Sequence, residues 1–170
     1  TYLRQTVKSL ESAVKDYFAL VDDTAKAAKT VQEGRAAARA GFGKVMSTAR
    51  SIQESNQRKI REYVATKQAG TELGQLYDAD VLIASFIADG DAFDKAVTST
   101  QGSAQLKSLL EKKDTVMQKL ADAKKLVEDG AARSKIESLS EGFSDATANI
   151  GALVKALDDM DEQNKKRTPL

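Results

Sequence analysis

Two arginines one helical turn apart are the residues of this sequence best suited to bind a ligand. Arg35 and Arg39 lie in the segment GRAAARAGFG (residues 34–43), where alanines and glycines surround them. Residues four apart lie on the same face of a helix, so both guanidinium groups can reach one site. A guanidinium grips a carboxylate through paired hydrogen bonds, and the small neighbouring side chains leave room for it. The pair therefore predicts a site for a small ligand that carries a carboxylate.

Two further polar residues could complete this site, and three of the four residues have a plainer interpretation. Thr147 and Asn149 could donate neutral hydrogen bonds to a bound acid, or they are ordinary surface residues. The side chain of Arg35 could instead extend to solvent or pair with an acidic residue on a neighbouring helix. In that case it would only fix the register of packed helices, as single polar residues at helical interfaces often do.

The element that must position the arginines is a long helix with a regular apolar seam. Residues at alternating spacings of four and three continue without a slip over the first third of the chain. The seam consists of Leu3, Val7, Leu10, Val14, Tyr17, Val21, Thr24, Ala28, Val31, Arg35, Ala38, Phe42, Val45, Ala49 and Ile52. A period of 3.5 residues keeps one narrow face of a helix against partner helices. Arg35 is the one charged member of this seam.

Later segments repeat the helical pattern. The apolar phase changes after Ile52, which predicts a connection near residues 51–57. Gly90 could end the second helix as a C-terminal cap, and Asp91 could cap the next segment, before a loop at residues 98–103. The predicted helices are 2–52, 56–88, 103–129 and 132–163. Long helices joined by short turns predict an all-α fold, an elongated antiparallel up-down-up-down four-helix bundle, as a single domain of residues 1–170.

Later seams are also interrupted by charged residues, namely Asp80 and Lys113. These two could form an ion pair between helices or act as register devices.

Composition excludes several classes of protein. The chain has one proline and no cysteine, histidine or tryptophan, so zinc sites, iron–sulfur clusters and thiol or Ser-His catalysis are excluded or nearly so. It has no glycine-rich phosphate loop, and we expect neither a cofactor nor a metal. The net charge of +1, with acidic and basic residues interspersed, does not favour a nucleic-acid partner. An enzyme is the least supported class.

Three segments resemble helical sensor domains of bacterial chemoreceptors and sensor kinases. LYDADVLIASFIADGD (residues 76–91) is similar to their helix followed by an F-[IL]-x-x-G-D turn. LESAVKDYFALV (residues 10–21) and residues 139–154 resemble their L-x6-Y-x3-L-V helices, and Arg35-Ala-Ala-Ala-Arg39 has the spacing of an R-x-x-x-R motif in aspartate-type receptors. The most similar types are the four-helix-bundle and helical bimodular ligand-binding domains of methyl-accepting chemotaxis proteins.

The resemblance implies a periplasmic module of an inner-membrane receptor, with two flanking transmembrane helices outside this chain. It implies a homodimer that binds a small organic acid or amino acid between helices and passes a helix shift across the membrane. The absence of cysteine fits a periplasmic or a cytosolic protein, and the start at Thr1 fits an excised or processed domain. The longest apolar run, residues 81–88, is too short to span a bilayer. Two other classes stay open, a structural or scaffolding coiled coil and a helical protein that coats a lipid or polymer surface.

Overall fold

The computed structural model describes residues 1–66, 70–99 and 101–167, and this part of the chain is all-α, without a strand. Its helices are α1 (Tyr2–Ala65), α2 (Thr71–Thr98), α3 (Ser103–Leu110), α4 (Lys113–Leu126) and α5 (Gly130–Arg167). A composition rich in alanine, lysine, leucine and acidic residues, with its one proline at position 169, accounts for this helical content.

The helices have the shape of a four-helix bundle, in which α3 and α4 together occupy one position. α1 packs against α2 and α5, α4 packs against α2, and both α3 and α4 pack against α5. Only residues 111 and 112 separate α3 from α4.

Four phenylalanines from three helices form the centre of the core. Phe42, Phe86, Phe93 and Phe143 are all buried. The Phe143 ring lies edge-on to the rings of Phe42, Phe86 and Phe93, with centroid distances of 6.0, 5.3 and 5.3 Å. The rings of Phe42 and Phe93 stack at 5.7 Å. Edge-to-face packing of this kind stabilises the core beyond the area that it buries.

Glycine residues bring α1 and α5 close together in an antiparallel pair. A Cβ atom added to Gly34 would lie 3.6 Å from Leu153, and one added to Gly41 would lie 3.3 Å from Ala146. Seven residues forward on α1 therefore correspond to seven residues backward on α5. Continued along the same register, the end of α5 at residue 167 lies level with Leu20.

The first part of α1 projects beyond the other helices. α1 has 64 residues, a length of about 95 Å. Its first buried residue is Val31, although partial burial begins at Leu20, where the register places the end of α5. We call residues 2–30 the projecting half of α1 and residues 31–65 its bundle half.

The predicted connection near residues 51–57 is wrong, because α1 continues to Ala65. The buried positions continue as Ile52, Asn56 and Ile60, two steps of four residues that carry the seam onward without a turn. Sequence reasoning missed this because the middle position is polar. The second helix accordingly begins at Thr71 and not at residue 56, and residues 67–69 of the predicted helix lie outside the described part of the chain.

The predicted helix end at Gly90 is also wrong. Gly90 is buried inside α2, where a Cβ atom would lie 2.4 Å from Sδ of Met46. This glycine therefore serves close packing of α2 on α1, and Asp91 pairs with Arg50 at 3.1 Å where a cap was expected. Residues 76–91, which resemble a helix and turn, are helical throughout.

Two smaller differences concern the end of the chain. The predicted third helix, 103–129, is divided at residues 111–112 and ends at Leu126, and the predicted fourth, 132–163, extends over Gly130–Arg167. Asp129 caps α5, since its Oδ1 accepts a hydrogen bond from the backbone N–H of Ala131 at 3.3 Å. The predicted loop 98–103 lies between α2 and α3, with residue 100 outside the described part.

Candidate functional site

Arg35 ties α1 to the chain that follows α2. Its Nη1 donates a hydrogen bond to the backbone oxygen of Ser99 at 2.8 Å, and its Nη2 donates one to the oxygen of Gln101 at 3.0 Å. Ser99 is the C-terminal cap residue of α2, where backbone carbonyls lack partners within the helix. A cation is favourable beside this negative end of the helix dipole. Arg35 therefore donates to backbone carbonyl groups. It neither extends to solvent nor pairs with a carboxylate, which were the two alternatives predicted for it.

Arg35 and Arg39 line one open groove between α1 and the end of α2. The groove has a volume of about 560 Å³, and its lining is Arg35, Ala36, Arg39, Ala40, Val97 and Thr98. Arg39 is exposed, and within the described chain its side chain takes part in no hydrogen bond or ion pair. Its guanidinium is available to a ligand, while Arg35 retains N–H groups beyond the two that hold the backbone. This groove can receive a carboxylate.

The other two predicted site residues lie elsewhere. Thr147 is buried, and its hydroxyl donates to the backbone oxygens of Phe143 and Ser144 in its own helix, at 3.0 and 2.9 Å. Asn149 lines a separate groove of about 370 Å³ between α1 and α5, together with Gly41, Lys44 and Asp145 among others. The structure thus brings the two arginines together and does not bring Thr147 or Asn149 to them.

The predicted pair of Asp80 and Lys113 is also not formed. Both residues are described, and the ion pairs of the described chain do not include one between them. Asp80 Oδ1 is buried without a hydrogen-bond partner. Burial raises the pKa of the Asp80 carboxyl, and a hydrogen bond from Gln57 partly offsets the rise. Lys119 of α4 instead pairs with Asp89 of α2.

A pocket that sequence reasoning missed lies at the opposite end of the bundle. It has a volume of about 370 Å³, and its lining includes Lys59, Glu62, Tyr63, Glu72 and Glu128. The Tyr63 hydroxyl donates to Oε2 of Glu72 at 2.5 Å, and this bond raises the pKa of Tyr63. The sequence could not predict this pocket, because the predicted connection near residues 51–57 assigned residues 59–63 to the second helix and not to the end of α1.

Asn56 is a buried polar residue near this end of the molecule. Its Nδ2 has no hydrogen-bond partner, and the residue borders a cavity of about 40 Å³ with Lys59, Asp129 and Lys135. A cavity of this size accommodates about one water molecule. A hydrogen bond from Lys59, at 3.3 Å, and one from the Ala131 backbone lower the pKa of Asp129. Lys59 and Asp129 form an ion pair, so these two charges satisfy each other.

Within residues 1–66, 70–99 and 101–167, no group of three or more acidic, histidine or cysteine side chains is placed to hold a metal ion. Among the same residues, no helix is both long and apolar enough to cross a membrane.

Comparisons with known proteins found no matching family model, no matching curated protein and no matching solved structure. The groove and the helices that form it are therefore the features from which a function can be inferred.

Proposed function

We propose that this chain is the extracytoplasmic ligand-binding domain of a bacterial receptor of the chemotaxis or sensor-kinase type, and that it senses a small organic acid. The observation that carries this proposal is the groove in which Arg35 and Arg39 lie side by side. Among the described residues, the groove lining contains no carboxylate that could hold an ammonium group, which favours an organic acid over an amino acid. Thr147 and Asn149 have no part in the proposed site.

The helix arrangement supports a domain of this type. We infer an up-down-up-down connectivity, in which α3 and α4 together form the third leg. The antiparallel contacts of α1 with α5 and of α1 with α2 support it, since Arg50 lies beside Asp91 while Arg35 lies beside Ser99. In this arrangement α1 carries the arginines and runs as one continuous helix far beyond the bundle.

A sensor must also couple binding to a change of state. A ligand held between Arg39 on α1 and the end of α2 would favour one relative position of these two helices over another. The hydrogen bonds of Arg35 to Ser99 and Gln101 couple the two elements at the same level. The ligand can shift the helices in this way only if it binds one of the two helix arrangements more tightly than the other.

The test is thermal unfolding of the whole chain with a panel of mono- and dicarboxylates and amino acids. A ligand present at a hundred times its Kd should raise the Tm by roughly 5–10 °C. Arg39→Ala should abolish the rise without lowering the Tm of the free protein, because Arg39 makes no hydrogen bond or ion pair within the described chain. Lys44→Ala is the matched control, since Lys44 is an exposed cation of the same helix that lines the other groove.

Two results would reject the arginine site. The first is an unchanged Tm with every acid in the panel. The second is an equal loss of the rise in Lys44→Ala, which would show that general positive charge and not the groove attracts the ligand.

A structural or scaffolding role is the second candidate, and one observation favours it. Arg35 already has two backbone acceptors, so it has a sufficient structural reason to occupy the seam. This function predicts that no small acid changes the Tm of the wild-type protein, whereas Arg35→Ala lowers it.

A further inference from the structure

The first turn of α5 meets the bundle half of α1 around a small cavity. Ala131 and Ala132 of that turn line the cavity together with Asn56 of α1. The N–H groups at the start of a helix have no partner within it, and the helix dipole favours negative charge there. Every helix has such an end, so a binding site requires a further feature.

Asn56 supplies that feature. The residue is 2% exposed, and its Nδ2 has no hydrogen-bond partner within the described part of the chain. A buried N–H donor that stays unpaired costs folding free energy, which is why nearly all such groups in proteins have an acceptor. Asn56 borders the cavity, so a ligand bound there can be its acceptor.

We propose that the cavity binds a monatomic anion such as chloride, held between Asn56 and the first turn of α5. The cavity has a volume of about 40 Å³, which suits one particle of about the size of a water molecule and not a carboxylate or phosphate group. The inference does not depend on the proposed acid site, because Arg35 and Arg39 line a different groove.

The charge around the cavity favours an anion. Its ionisable lining residues are Lys59, Lys135 and Asp129. The Asp129 carboxylate is balanced, since Nζ of Lys59 lies 3.3 Å away and the backbone N–H of Ala131 donates to its Oδ1. The ammonium group of Lys135 forms no hydrogen bond or ion pair with another described residue, so its positive charge remains for a ligand.

The hydrogen-bonding groups distinguish an anion from a water molecule. Nδ2 of Asn56 and the ammonium group of Lys135 can only donate, and the Ser55 hydroxyl, which also has no partner among the described residues, can donate as well. An anion accepts from all three groups. A water molecule must also donate two hydrogen bonds of its own, and the one carboxylate beside it already accepts from Lys59 and Ala131. The lining therefore suits an anion better than water.

The test is thermal unfolding of the whole chain in sodium chloride and in sodium gluconate at one ionic strength. Gluconate is too large for the cavity, so it controls for the screening of surface charges. At ten times its Kd, chloride should raise the Tm by roughly 3–6 °C relative to gluconate, and the rise should saturate. A Tm that is the same in both salts at every concentration would overturn the proposal and leave water as the occupant of the cavity.

Asn56→Leu removes the unpaired donor and keeps the approximate volume of the side chain. The variant should lose the chloride-dependent rise, and its Tm in gluconate should equal or exceed that of the wild-type protein, because no buried donor is left unpaired. Asn149→Leu is the matched control, since Asn149 lies on α5 but lines the other groove, and it should keep the rise. An undiminished rise in Asn56→Leu would show that chloride binds elsewhere and would overturn the proposal.

Lys135→Gln tests the site without a change to a buried residue. Loss of the exposed ammonium group should lower the affinity for chloride by about tenfold, as expected for one charged hydrogen bond. Lys155→Gln, which removes an exposed cation elsewhere on α5, should leave the affinity unchanged. Equal losses in the two variants would mean that general positive charge attracts chloride, and the site would be rejected.

Bromide, which replaces chloride and scatters anomalously, can locate the ion. In crystals of the whole chain soaked in sodium bromide, an anomalous peak should lie in the cavity, in contact with Nδ2 of Asn56. Peaks at other positions alone would contradict the proposal.

Discussion

The two halves of α1 share one apolar period and differ in what covers it. In the bundle half, Ala38, Phe42, Val45, Ala49 and Ile52 are all at most 4% exposed beneath α2 and α5. In the projecting half, seam residues of equal or greater hydrophobicity face solvent. The period therefore identifies a helix that packs, but it does not identify how many helices pack on it.

Side-chain size distinguishes the two halves better than the period does. The bundle half combines Phe42 with small residues, and α5 approaches closely at Gly34 and Gly41. Small residues at a helical interface permit such approach on more than one side. The six seam residues from Leu3 to Val21 include none smaller than valine, and none of them is buried by a described helix.

The largest effect that would test this comparison is the loss of an aromatic ring from each half. Phe42→Ala should lower the free energy of unfolding by about 3–5 kcal/mol, because it leaves a cavity between the rings of Phe93 and Phe143. Phe18→Ala removes the same atoms from the projecting half and should leave the stability of the bundle unchanged. Urea unfolding followed by circular dichroism measures both.

Equal losses in the two variants would contradict the division of α1. They would show that the projecting half packs on the bundle in solution, and the exposed face would then need no partner.

A smaller effect is expected at Arg35, the one charged residue of the seam, which lies in the bundle half of α1. Arg35→Leu should lower the free energy of unfolding by about 1 kcal/mol, because the oxygens of Ser99 and Gln101 lose a charged donor at a partly exposed site. Chemical denaturation measures the change. Arg39→Leu is the control, and its effect should stay within about 0.5 kcal/mol.

A stabilised Arg35→Leu protein would mean that apolar contact at this seam position outweighs the two hydrogen bonds. The hydrogen bonds that link α1 to the end of α2 would then not explain why an arginine occupies this position.

The sequence predicted the all-α fold and a long first helix, because periodicity is a local property of the chain, but it ended that helix at residue 52 and not at Ala65. It did not predict that α1 passes through Asn56, because this polar residue interrupts the apolar seam, or that α2 passes through Gly90, because the packing at Gly90 involves a residue distant in sequence. Gly90 packs closely against Met46, and the hydrogen-bond acceptors of Arg35 are carbonyls that lie 64 and 66 residues away. The sequence placed the two arginines on one face of a helix, and they line one groove, but Thr147 and Asn149 were joined to them without knowledge of the faces on which they lie.

The smallest effect concerns the carboxyl group of Asp80, which is partly buried against the bundle half. Burial of a charged group costs folding free energy, and the exposed residues of the projecting half do not have this cost. Asp80 has one buried oxygen without a partner and receives a hydrogen bond from Gln57 of α1. Since burial raises the pKa of Asp80 above its ordinary value of 3.8, the folded state binds its proton more tightly than the unfolded state. The stability that this proton provides is complete below pH 3.8 and is lost as the pH rises through the folded-state pKa.

Asp80→Asn removes that loss, so the variant should be more stable than the wild-type protein at pH 7, by about 0.5 kcal/mol after allowance for partial solvent exposure. The difference should vanish near pH 3, and urea unfolding across this range measures it. Asp78→Asn, at an exposed position of the same helix, is the control variant. If the variant is less stable than the wild-type protein at pH 7, the hydrogen bond from Gln57 stabilises the carboxylate by more than burial destabilises it. Burial of a polar group would then not distinguish the bundle half from the projecting half.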